Sequence, residues 1–155
     1  MSTVVFGMNA KLYYWSAGIA GRTATTPVAG VELTNVKDLT LSCDSAESDV
    51  TTRANNGFKA TLPTLKNAEI SFDMVWNTGD TGFTALQSAW MNNTAIGIAC
   101  MDGPIATTGS QGLCADFAIS KFERDEKLAE AVTVKITIKI TYSSTAPIWL
   151  TVSGS

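Results

Sequence analysis

Two groups of acidic residues are the first candidates for chemistry in this sequence. Glu69 and Asp73 lie on one face of an alternating segment, and glycosidases use a pair of carboxylates. Along a strand these two residues are roughly 13 Å apart, whereas glycosidases need about 5–9.5 Å. The acidic run from Asp44 to Asp49 offers oxygen ligands for calcium, but it lacks the glycine and the final glutamate of an EF-hand loop. Neither group predicts a catalytic or metal site.

Other catalytic and cofactor motifs are missing from the sequence. Histidine is absent, which removes Ser-His-Asp and Cys-His catalysis and most zinc-ligand sets. The segment from Gly103 to Gly112 does not match a phosphate-binding loop. The cysteines Cys43, Cys100 and Cys114 form no C-x-x-C pair, and we expect each to be a small buried apolar side chain. We therefore expect no enzyme activity, no cofactor and no metal ion.

Length and composition indicate one globular domain. The chain has 155 residues, 45% of them hydrophobic, and a formal net charge of −3. This acidic balance disfavours a nucleic-acid binder that acts through a basic patch. The sequence has no run of about 20 apolar residues and does not start like a signal peptide, so we expect no membrane-spanning helix and no secretion signal.

The dominant pattern along the chain is alternation of apolar and polar residues, which is typical of strands with one buried face. It is clearest from Val132 to Tyr142 and from Ala68 to Trp76. Weaker strands are predicted at Lys11 to Ser16, Val36 to Cys43, Ala95 to Met101 and Leu113 to Phe122.

One helix and two long loops complete the prediction. Asp80 or Thr81 can cap a helix whose apolar residues Phe83, Leu86 and Trp90 recur at spacings of three and four. Polar, turn-rich connections are predicted from Asp44 to Leu65 and from Asp102 to Gly112. The expected fold is mainly β, an antiparallel β-sandwich or barrel with one flanking α-helix and long loops.

Charge is unevenly distributed along the chain. From Asn67 to Ser120 there are five acidic residues and no lysine or arginine. The basic residues that follow are Lys121, Arg124, Lys127, Lys135 and Lys139. This asymmetry either serves solubility alone or marks a surface that repels a passing polyanion.

Between Val31 and Trp90 the order of segments resembles the tail tube, or major tail, proteins of long-tailed bacteriophages. A strand leads into the run Asp49-Val50-Thr51-Thr52-Arg53, a second strand from Leu65 ends at Trp76, and a short helix begins near Asp80 with an aromatic at Phe83. The resemblance implies a structural subunit, with no catalytic residue or cofactor, whose rings, usually hexameric, stack into a hollow tube in the virion tail. It implies assembly in the bacterial host cytoplasm, with viral DNA passing through the tube without specific binding.

The resemblance also implies the organisation and partners of the chain. We expect a single tail-tube domain over residues 1–155, with an N-terminal arm 1–30 and a C-terminal extension 146–155. The expected partners are other copies of the chain, a tape measure protein, a tail terminator and baseplate or tail-tip proteins, and no membrane.

Two sets of site residues follow as hypotheses. The first loop is assigned to stacking between rings, through Asp44, Glu47, Asp49, Thr51, Thr52 and Arg53. The polar face of the segment from Ala68 to Trp76 is assigned to the lumen, through Glu69, Ser71 and Asp73. We expect Lys135 and Lys139 to face outward or to pair with neighbouring carboxylates.

Two alternatives remain open. A Thr-rich β-sandwich with Trp15, Trp76, Trp90 and Trp149 could be a carbohydrate- or ligand-binding module, although core packing is the favoured role for Trp76 and Trp90. The chain could also be the inner-tube protein of a contractile or type VI secretion-like system.

Overall fold

The computed structural model of this protein describes residues 4–19 and 30–153. All six strands and the helix predicted from the sequence are present, together with two short strands, Val31–Glu32 and Ile148–Thr151, that the sequence analysis did not predict. The strands are β1 (Lys11–Trp15), β2 (Val31–Glu32), β3 (Val36–Asp49), β4 (Thr61–Val75), β5 (Ile96–Met101), β6 (Gln111–Asp125), β7 (Thr133–Ile140) and β8 (Ile148–Thr151). The helix is α1 (Thr81–Asn92), and two short 3-10 helices cover Gly7–Asn9 and Arg53–Asn55.

The eight strands form one antiparallel sheet in the order β2-β1-β5-β6-β7-β4-β3, with β8 also paired to β6. The long strand β6 joins the two halves of this sheet. Its residues 112–117 pair with β5, and its residues 117–125 pair with β7. Apolar residues of β3 pack into the same core as Leu12 and Tyr14 of β1, so the two halves face each other as a sandwich. This confirms the predicted fold class.

The core has two layers because both faces of β1 are covered. Leu12 and Tyr14 join the main core, which contains the fully buried rings of Phe72, Phe83 and Phe117. Tyr13 and Trp15 point to the opposite face and pack in a second cluster with residues of β5, β6 and β8. Alternation along a strand thus places successive side chains in different cores.

Helix α1 covers the main core as the sequence predicts. Asp80 is its N-cap, and the backbone N–H of Phe83 donates to Asp80 Oδ2 at 3.0 Å. Phe83 and Leu86 are buried, so the spacing of apolar residues correctly identified the inner face. The helix ends at Asn93, whose φ of 53° gives the left-handed conformation common after a helix.

The extent of the first predicted loop, Asp44 to Leu65, is wrong. Strand β3 continues to Asp49 and β4 begins at Thr61, so the connection covers residues 50–60. Neither face of this part of the sheet is buried, so the flanking residues lack the regular alternation of apolar and polar side chains that predicts a strand. The second predicted loop, Asp102 to Gly112, corresponds to the connection 102–110 between β5 and β6.

Both terminal segments contribute to the sheet. Strand β1 lies within the predicted N-terminal arm 1–30 and pairs with β5, while β8 lies within the predicted extension 146–155 and pairs with β6. Residues 20–29 of the predicted N-terminal arm, together with residues 1–3 and 154–155, are outside the described residues.

Candidate functional site

The most prominent surface feature is a two-stranded arm, formed by residues 43–67 at the joined ends of β3 and β4. Its strands pair from Cys43 with Ala68 to Asp49 with Thr61, which gives a shaft of roughly 20 Å. Every residue of the arm is exposed except Asn55 and Ala60, which are half-buried. Its exposed apolar side chains are Val50, Phe58, Leu62 and Leu65.

The arm tip, residues 50–60, is held by hydrogen bonds within itself. The Thr51 backbone N–H donates to Asp49 Oδ1 at 2.9 Å. The Thr51 hydroxyl, and with it this backbone N–H, lowers the pKa of Asp49 below its ordinary value. Across the tip, the Ala60 N–H donates to Thr51 Oγ1 at 2.8 Å. Asn56 and Gly57 adopt positive φ angles of 53° and 84°, which reverse the chain. The tip therefore has a defined shape.

The six residues predicted for stacking lie together on this arm. Asp44 and Glu47 are on the shaft, whereas Thr51, Thr52 and Arg53 are at the tip. Thr51 and Asp49 are used in the internal bonds, and the Thr52 hydroxyl lies 3.3 Å from Asn55 Oδ1. Within the described part of the chain Arg53 forms no ion pair, so its guanidinium is available to another molecule.

The predicted lumen residues Glu69, Ser71 and Asp73 share one polar face of the sheet. They lie opposite Lys139, Thr137 and Lys135 of β7, respectively. Lys139 Nζ is 3.8 Å from Glu69 Oε2, and the hydroxyls of Ser71 and Thr137 are 3.1 Å apart. The expectation that Lys139 pairs with a neighbouring carboxylate is confirmed. Lys135 and Lys139 therefore belong to the same face as the three lumen candidates, whose charge is mixed rather than acidic.

Three acidic residues between Asn67 and Ser120, the stretch without lysine or arginine, have local structural roles, and only the cap at Asp80 was predicted from the sequence. Asp80 caps α1, and Asp102 Oδ1 accepts from the Gln111 N–H at 2.9 Å. Asp116 is buried, with 8% of its surface exposed. Its Oδ1 accepts from the backbone N–H of Ile19 at 2.9 Å, and its Oδ2 accepts from the Ser143 hydroxyl. The negative charge of this stretch is therefore not all surface charge.

The tryptophans are divided between core and surface. Trp15 is buried, and Trp76 packs edge-on against Phe83 with 4.7 Å between ring centroids, which confirms core packing for Trp76. Trp90 stacks on Phe122, but 44% of the surface of this residue is exposed. The prediction of a core position is therefore wrong for part of Trp90. Trp149 is exposed, and its indole N–H donates to Gln111 at 3.0 Å.

The cysteines differ from one another in environment. Cys114 is buried and Cys100 is half-buried, and burial raises the pKa of the Cys100 thiol to about 11. Cys43 is exposed at the base of the arm, so the expectation that all three are buried is wrong for this residue. Among the described residues, no three histidine, cysteine or acidic side chains are grouped as a metal site would require. None of the described helices is long and apolar enough to span a membrane.

Comparisons with known proteins give one family match and several solved structures with a similar fold. The family model described as phage tail tube protein matches residues 16–143. A chain from the virion of a native gene transfer agent particle is 11% identical with a TM-score of 0.69, covering 94% of this chain and 98% of that one. A chain of the SPP1 tail tube is 14% identical with a TM-score of 0.70, covering 97% of this chain and 81% of that one. A chain from the anti-feeding prophage baseplate is 9% identical with a TM-score of 0.63, covering 98% and 99%. No curated protein matches the sequence.

Proposed function

Because the chain belongs to the phage tail tube protein family and is a structural protein of the virion tail, we propose that its copies form six-membered rings. These rings stack into a hollow tube through which viral DNA passes during ejection. The family match over residues 16–143 carries the proposal. A chain from the tail of an empty gene transfer agent particle is 12% identical with a TM-score of 0.67, covering 90% of this chain and 96% of that one. That tail was refined with C6 symmetry, which supports the proposed ring number.

The exposed arm supports self-association on physical grounds. An isolated two-stranded hairpin is at best marginally stable in water, and the arm has no third strand or helix packed against its shaft within the described residues. Phe58 and Leu65 are 77% and 80% exposed on it. A neighbouring copy that packs on the arm would bury these side chains.

The arm is proposed to make the contact between successive rings. Arg53 is the side chain best suited to this contact, since it is at the tip and forms no ion pair within the described residues. A guanidinium can bind a carboxylate of a neighbour through two hydrogen bonds. Asp44 and Glu47 on the shaft, and Thr52 at the tip, are proposed to contribute polar contacts, while Asp49 and Thr51 keep the tip in shape.

The polar face that contains Glu69, Ser71 and Asp73 is proposed to line the channel. Passing DNA would bind to unpaired lysines, so a channel wall needs its basic groups neutralised. The ion pair between Lys139 and Glu69 meets this requirement, and Asp73 lies opposite Lys135 in the sheet. The wall would then present two carboxylates against two lysines to the phosphates, with no specific binding of DNA.

The remaining contacts are proposed at the ends of the tube and inside it. Tape measure, tail terminator and baseplate or tail-tip proteins are the proposed partners, and assembly is proposed to occur in the host cytoplasm. This role requires no catalytic step and no cofactor, and we propose none for this chain.

Self-assembly is tested with the purified full chain in a concentration series, followed by light scattering and negative-stain electron microscopy. Rings and stacked tubes are expected above a threshold concentration. A species that stays monomeric at the highest concentrations, and that also fails to add to tail-tip complexes as nuclei, would contradict the proposal.

A further inference from the structure

The arm tip and a charged pocket lie at opposite ends of strand β4. The tip joins the end of β4 at Thr61, where Thr61 pairs with Asp49. At the other end Val75 pairs with Thr133, which in turn pairs with Asp125. Because β4 has 15 residues, its two ends are roughly 46 Å apart. The turn between β6 and β7, residues 126–132, is therefore remote from the arm tip of the same copy.

The charged residues of the arm tip are all basic. Residues 50–60 contain Arg53 and Lys59 and no acidic residue. Both side chains belong to exposed residues, and neither forms an ion pair within the described part of the chain. The tip thus presents two positive charges without partners.

The pocket at the opposite end has an excess of carboxylates. It has a volume of about 410 Å³ and is lined by four acidic residues, Asp73, Glu123, Asp125 and Glu130, against three lysines, Lys37, Lys127 and Lys135. Lys127 Nζ is 4.0 Å from Asp125 Oδ2 and 3.9 Å from Glu130 Oε2, so one ammonium group is shared loosely between two carboxylates. Both carboxylates are more than half exposed and can accept a further cation.

We propose that the arm tip of one copy binds in this end pocket of the next copy along the tube, with Arg53 and Lys59 pairing with Asp125 and Glu130. The proposal rests on the proposed stacking role of the arm and names its receiving surface. Since tip and pocket are at opposite ends of one chain, the contact is head-to-tail and leaves a free tip and a free pocket at the two ends of any stack. Opposite charges steer the two surfaces into register and disfavour tip-to-tip contacts.

Charge reversal on each side tests the proposal in the full chain. One variant carries Arg53→Glu with Lys59→Glu, a second carries Asp125→Lys with Glu130→Lys, and a third carries all four changes. Glu126→Lys is the matched control, because this residue is in the same turn but does not line the pocket. Each reversal alone is expected to raise the threshold concentration for tubes by about tenfold, and the four-fold variant to return it close to wild type. Glu126→Lys should leave the threshold unchanged.

Failure of this inference can be separated from failure of the stacking role. If the arm reversal raises the threshold but the pocket reversal does not, or if the combination is no better than the arm reversal, the end pocket is not the receiving surface, although the arm still stacks. If the arm reversal leaves the threshold unchanged, both are overturned. Unchanged circular dichroism and thermal unfolding of each variant establish that the effects arise in assembly.

Discussion

The buried carboxylate of Asp116 ties two segments of chain to the middle of the sheet, and its removal should measurably destabilise the fold. Its Oδ1 accepts from the backbone N–H of Ile19, a residue with 0% of its surface exposed, at 2.9 Å. Its Oδ2 accepts from the Ser143 hydroxyl. Gly18, beside this contact, has a φ of 92°, and a Cβ there would lie 3.0 Å from Asp116 Oδ1. The carboxylate and the turn are thus fitted to each other.

The cost of Asp116→Ala follows from these two bonds. A hydrogen bond to a charged group contributes about 1.5–3 kcal/mol, and a buried N–H left without an acceptor costs about 1–3 kcal/mol. Since these contributions overlap, we expect the free energy of unfolding to fall by about 2–4 kcal/mol. Asp116→Asn keeps an oxygen for the Ile19 N–H and should cost about half as much. Asp125, which is 58% exposed, is the matched control, and Asp125→Ala should cost less than about 0.5 kcal/mol.

Urea unfolding followed by circular dichroism, at a protein concentration below the threshold for tubes, measures these differences. The order of stability should be wild type and Asp125→Ala, then Asp116→Asn, then Asp116→Ala. For a domain of this size, Asp116→Ala should also lower Tm by roughly 5–15 °C. If Asp116→Ala unfolds at the same urea concentration as Asp125→Ala, the carboxylate does not hold these segments, and the reasoning from its burial is refuted.

Two further predictions concern assembly. Arg53→Ala should change the free energy of unfolding by less than about 0.5 kcal/mol, because the side chain is exposed and forms no ion pair in the described part of the chain. The same change should shorten the tubes seen in electron micrographs, and tubes of wild-type length would contradict the stacking role. Glu69→Lys with Asp73→Lys should slow DNA ejection from particles with tails of normal length, because these changes add two lysines to a face that already carries Lys135 and Lys139. Ejection at the wild-type rate would show that this face does not line the channel.

The parts of the fold that were predictable from the sequence are those whose cause is local. Strand β7 alternates from Thr133 to Ile140 because one of its faces is buried, and Asp80 precedes α1 because the first N–H groups of a helix need an acceptor. In both cases the sequence pattern and the structural requirement involve the same few residues.

The sequence analysis did not predict the strands of the arm, because along the arm these two strands pair only with each other. From Asp44 to Asp49 no side chain reaches the core, so the residues are polar and the period of two disappears. Pairing is visible only when this run is aligned with Thr61 to Asn67, and that alignment depends on the register set further along, where Leu41 pairs with Ile70. The burial of Asp116 was missed for a related reason, since its partners Ile19 and Ser143 are far away in sequence.

The sequence analysis located least well the surface features that need a second copy of the chain to form their contacts. Selection on Leu12 or Phe72 acts through the stability of one chain, so these residues follow the rules for a buried face. Arg53 and Phe58 make no comparable contact with the other described residues. An exposed hairpin of this kind gains stability when another surface packs on it. If that surface is the end pocket of the next copy, the basic tip and the carboxylates of the end pocket are two halves of one site. Their residue types are then explained by complementarity between copies, which neither hydrophobic periodicity nor the packing of an isolated subunit records.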